Sequence, residues 1–70
     1  MFEEKDIALK ISANLEFLIK KNKVKAQQIA DFIGTTKQLV SRNRQLLKSG
    51  KLPNSKFLVG ISLFFDYKFF

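Results

Sequence analysis

Apolar residues recur along this chain at helical steps, in separate runs divided by polar turns. Ile7, Ile11, Leu15, Leu18 and Ile19 repeat at steps of three and four, which predicts a helix over about 6–21 with one apolar stripe. Asp6 can cap its start; acids lie in its first turn and Lys20 and Lys21 in its last, as the helix dipole prefers. A short second helix is expected over 26–33, its inner face made by Ile29, Ala30 and Ile33, with Gly34 placed for a left-handed C-terminal residue. Thr36 is a suitable N-cap for a third helix over 37–48, which Ser49-Gly50 ends. After a loop at 51–54, Asn54 or Ser55 starts a fourth helix to about 66, its Phe57, Leu58, Ile61, Phe64 and Phe65 again at helical spacing. No run reads as a strand. The expectation is an all-α fold: a small compact bundle of four helices, or five if the aromatic tail forms another.

Seventy residues suit a single domain, 1–70, near the lower size limit for a core without staples. With eight Phe residues the chain is expected to be able to build a core. The chain has no His, Cys or Trp, which removes disulfides, thiol catalysis, Cys/His zinc sites and His-based dyads. Six carboxylates remain, too few and too scattered to suggest a metal or hydrolytic centre. No catalytic residue, metal, cofactor or small-molecule substrate is expected. The first six residues carry three acids, unlike the basic start of a secretion signal, and the apolar stretch at 57–70 is interrupted and too short to cross a bilayer. A cytoplasmic protein without a membrane partner is expected.

Net charge is +7, but it is unevenly distributed. Residues 1–19 carry Lys5 and Lys10 against Glu3, Glu4, Asp6 and Glu16, leaving −2. Residues 20–56 hold ten Lys/Arg against Asp31 alone, +9, and residues 57–70 balance Lys68 with Asp66. Such a block attracts polyanions, although a solvated surface would read the same way. Position decides between the two.

The stretch from Val24 to Ser41 and Arg42, with its Ile29-Ala30 pair, Ile33-Gly34, Thr35-Thr36 and Val40, and with Pro53 before the last helix, resembles the helix-turn-helix of phage repressors such as the lambda and 434 repressors and Cro. The motif spans about 25–44, the closing helix about 55–66, and the resemblance about 7–66. Physically, Ala30 lets two helices approach, Gly34 turns the chain and Val40 anchors the third helix. That leaves Lys37, Gln38, Ser41 and Arg42 on the outer face, donors and acceptors suited to base edges. The resemblance implies base reading there, and backbone contacts near Gln27 and Thr36; Lys48, Lys51 and Asn54 are further candidates to hold phosphates. Taken singly, Gln38, Lys37 and Arg42 are ordinary surface residues; sharing one face of this motif is what singles them out.

Several positions depart from the pattern. Where relatives pair an Arg late in the first helix with a Glu ending the recognition helix, this chain has Ile19 and Arg44, so that pair is expected to be missing altogether. Ala26 replaces a phosphate-facing Gln, and Asn43 a larger apolar residue. Leu39 lies on or beside the outer face, and the third helix is one turn longer through Leu46, Leu47 and Lys48. Leu39, Asn43 and Leu46, together with Phe69 and Phe70 of the tail, are candidates for a surface that docks another protein or a second copy. Leu47 is the better candidate for the core, and the tail could equally close over the first helix.

The leading expectation is a phage-type transcriptional regulator that binds double-stranded operator DNA through its third helix. The alternative is a modulator or anti-repressor that acts by binding its cognate phage repressor protein. A membrane-active helix fits poorly, because the lysines cluster in turns and do not line one long face. A homodimer is compatible with either regulatory reading.

Overall fold

The computed structural model describes residues 3–69. They form an all-α bundle of α1 (Glu4–Asn22), α2 (Ala26–Ile33), α3 (Lys37–Lys48) and α4 (Ser55–Phe65), with no strand among the described residues. One hydrophobic cluster draws on every helix: Ile11 and Leu15 from α1, Ile29 and Ala30 from α2, Val40 and Leu47 from α3, Phe57 and Ile61 from α4. All of these are essentially solvent-free. The α1 stripe is rotated slightly from the expected one, with Ala8 and Ser12 buried while Ile7, Leu18 and Ile19 are half-buried.

Local chemistry sets most helix ends. The Thr36 hydroxyl accepts a hydrogen bond from the Leu39 N–H at 3.1 Å, and the Asn54 side-chain carbonyl accepts from the Phe57 N–H at 2.9 Å, satisfying donors that a helix start leaves open. Helix α1 starts earlier than expected. Glu3 occupies the N-cap with no side-chain cap bond, and Asp6, the predicted cap, lies inside the first turn, its N–H bonded to the Glu3 carbonyl at 3.1 Å. Charge rather than capping explains Asp6, since Glu4 and Asp6 both sit at the positive end of the helix dipole.

All four helices end alike. A residue with positive φ stops each one: Lys23 (54°), Gly34 (85°), Gly50 (90°) and Asp66 (49°). The next N–H then reaches back five residues, Val24 to Ile19, Thr35 to Ala30, Lys51 to Leu46 and Tyr67 to Ser62, at 2.9–3.0 Å. These bonds occupy carbonyls that the helix would otherwise leave unpaired.

The reversal at Asp66 sends the tail back onto the bundle. Phe69 lies 5% exposed in the core cluster and meets the rings of Phe65 and Tyr67 edge-on. Its expected place on a docking surface is therefore corrected: burying a whole aromatic ring outweighs leaving it in water. Phe70 lies outside the described residues. Residues 67–69 are not helical, so the described residues contain four helices and no fifth.

Helix α4 packs on α2 through a close approach at Gly60. A Cβ there would lie 2.6 Å from Cγ1 of Ile33, so the contact requires glycine. The loop between α3 and α4 is tied to the start of α1. Its Leu52 N–H donates to the Glu4 carboxylate at 2.9 Å, and the Lys5 stem lies over Gly50.

Candidate nucleic-acid interface

The short turn 34–36 sets α3 directly after α2, and Val40 and Leu47 hold the inner face of α3 in the core. With those two buried, the helical period turns Lys37, Gln38, Ser41 and Arg42 outward, and all four are exposed. Among the described residues no ion pair engages Lys37 or Arg42. The base-reading candidates thus lie together on one accessible face. Thr36 stands at its N-terminal end; its hydroxyl accepts the cap bond and keeps its own hydrogen to donate.

The phosphate-holding candidates divide. Lys51 is exposed on the loop that Glu4 anchors. Asn54 uses its carbonyl oxygen as a cap and retains its amide as donor. Gln27 is exposed, and its amide donates one hydrogen bond to Asp31 at 2.8 Å, one turn along α2, which leaves its second N–H open. Lys48 is drawn toward α1, its ammonium 3.9 Å from the Glu16 carboxylate.

Position 19 takes no part in an ion pair among the described residues, but Arg44 finds a different acid on α1. Arg44 grips Glu16 with two bonds, Nε to one carboxylate oxygen at 2.8 Å and Nη2 to the other at 2.7 Å. The pair joins the middle of α1 to the far end of α3, with acid and base on the opposite helices from those the family resemblance implies. Hydrogen bonding to Arg44 holds the Glu16 carboxyl below its ordinary range; partial burial opposes this, and the charges of Arg44 and Lys48 reinforce it. The same bond raises the Arg44 pKa, so the guanidinium stays charged. Two residues that sequence reasoning passed over, Glu4 and Glu16, therefore fix the loop and the helix that carry the basic face. Their signal was available: acids in a helix whose neighbours in space are strongly basic.

The protein-docking candidates divide as well. Leu39 is 48% exposed beside Gln38, whereas Asn43 and Leu46 are half-buried and Leu47 is fully buried. A concavity of about 570 Å³ lies between α1 and the tail, lined by Ile7, Lys10, Asn14, Tyr67 and Phe69 among others, and no α3 residue borders it. Among the described residues there is no group of three acids that could hold a metal ion, and no helix long and apolar enough to cross a membrane. No family model, curated protein or solved structure matches this chain.

Proposed function

We propose that this chain is a non-enzymatic transcriptional regulator of the phage-repressor type, acting in the cytoplasm by placing α3 of a helix-turn-helix in the major groove of duplex DNA. One observation carries the reading: Lys37, Gln38, Ser41 and Arg42 share the exposed face of a helix whose opposite face is sealed into the core. Gln38 suits the two-bond edge of adenine and Arg42 that of guanine, while Lys37 and Ser41 complete the contact. Lys51, Thr36 and Asn54 supply backbone contacts from the ends of that helix and the loop beyond it.

Fluorescence anisotropy against duplexes over a range of salt tests the proposal. Neutralising about three to five phosphates predicts a log–log salt slope of about −3 to −4.5. Lys51→Ala should flatten that slope by about one and weaken all sequences alike, whereas Gln38→Ala should cost about 1–3 kcal/mol on a selected site and relax its sequence preference. Absence of binding at low salt refutes the reading.

The exposure of Leu39 favours a second reading, a modulator that docks on its cognate phage repressor. Leu39→Lys separates the two, because it should weaken protein docking while leaving or strengthening DNA binding.

A further inference from the structure

Helix α4 has a second face that the core does not use. Phe57, Gly60 and Ile61 are buried, while Lys56, Val59 and Leu63 form an exposed row at steps of three and four, and Asp66, the exposed left-handed C-cap, follows Leu63 at the helix end. The apolar pair at its centre is well exposed, Val59 at 49% and Leu63 at 66%. Neither Lys56 nor Asp66 forms an ion pair among the described residues. Both also oppose the helix dipole: Lys56 lies in the first turn, at the positive end, and Asp66 is the C-cap, at the negative end.

This row is self-complementary when reversed. Laid antiparallel on itself about a two-fold axis near Ile61, it sets Val59 of each copy against Leu63 of the other and Lys56 against Asp66, twice. The same arrangement brings each misplaced charge to the end of the neighbouring helix that favours it, and sets the two helix dipoles side by side and antiparallel, the favourable orientation for neighbouring dipoles. We propose that the outer face of α4 is the interface of a symmetric homodimer, with two Val59–Leu63 contacts flanked by two Lys56–Asp66 ion pairs. The proposal rests on α4 alone and is independent of the DNA reading; no residue of the row belongs to α2 or α3.

Sedimentation analysis of the full chain from micromolar to near-millimolar concentration is the test, with circular dichroism confirming that each variant folds. The wild-type chain should show a reversible monomer–dimer equilibrium, and Leu63→Lys should leave monomer only. Lys56→Glu and Asp66→Lys each place like charges in contact twice and should weaken association about tenfold or more. Mixed together, these two variants should associate with each other, because every pairing then becomes opposite in sign. Asp66→Asn keeps the left-handed C-cap while removing the charge, and should weaken association without loss of fold. A wild-type monomer at near-millimolar concentration, single reversals that leave association unchanged, or a mixture that does not associate would each overturn the proposal.

Discussion

Replacing Glu16 with Gln while keeping its shape tests how firmly α3 is held. The carboxylate accepts two hydrogen bonds from Arg44 at 2.7 and 2.8 Å, and the two side chains keep 30% and 23% of their exposure. Such a pair lies between two limits: exposed ion pairs are worth up to about 1 kcal/mol, and breaking a buried pair costs about 3–5 kcal/mol. Partial solvation draws the value toward the lower limit and the two-bond geometry away from it, so a coupling of about 1–2 kcal/mol is expected. A double-mutant cycle of Glu16→Gln and Arg44→Met, read by urea denaturation, isolates that coupling from the packing of the Arg stem. The pH dependence supplies an independent check. Glu16 is depressed in the folded state, so in its titration range the unfolded chain binds more protons. The pair's stabilisation is therefore complete above the ordinary carboxylate range and is lost as pH falls through the folded value. Glu16→Gln should remove that part of the acid destabilisation. Coupling below about 0.3 kcal/mol, or an acid limb that Glu16→Gln leaves unchanged, would refute this account of the pair. A charge exchange of the two residues should recover only part of the coupling, because Lys48 would then face a cation.

Packing and backbone geometry set three further expected outcomes. Gly60→Ala places a methyl 2.6 Å from Ile33 Cγ1, so thermal unfolding should show a loss of about 1–3 kcal/mol despite the better helix propensity of alanine. Phe69→Ala should cost about 3 kcal/mol in denaturant unfolding, whereas Tyr67→Ala at an exposed site should cost much less; equal effects would place Phe69 outside the core. Lys23→Gly relieves a non-glycine residue at φ 54° and should raise stability by about 0.5–1 kcal/mol in the same assay, with no gain if that geometry is absent.

Features governed by residues near one another in the chain were legible before the fold was known. Apolar spacing located all four helices, and Thr36, Asn54 and Gly34 act as their types suggest because caps and turns depend on three or four neighbouring residues. The exposed face of α3 was legible for the same reason: once Val40 and Leu47 are inside, the helical period turns Lys37, Gln38, Ser41 and Arg42 outward. The left-handed ends at Lys23 and Asp66 gave weaker signals, since neither is glycine and each reversal also depends on where the next segment of chain packs.

What required tertiary structure was every feature made by residues far apart in sequence. Glu16 and Arg44 are 28 residues apart and Glu4 and Leu52 are 48 apart, and no local pattern records which acid meets which donor. Phe69 could equally have been read as core or interface, because hydrophobicity says that a ring avoids water but not what covers it. The close approach at Gly60 likewise depends on Ile33 from another helix. Sequence alone determined the helices, the caps at Thr36, Asn54 and Gly34 and the sign of the charged face; tertiary packing decided which charges are neutralised, which remain free and how the tail is closed, because those depend on pairings across the fold.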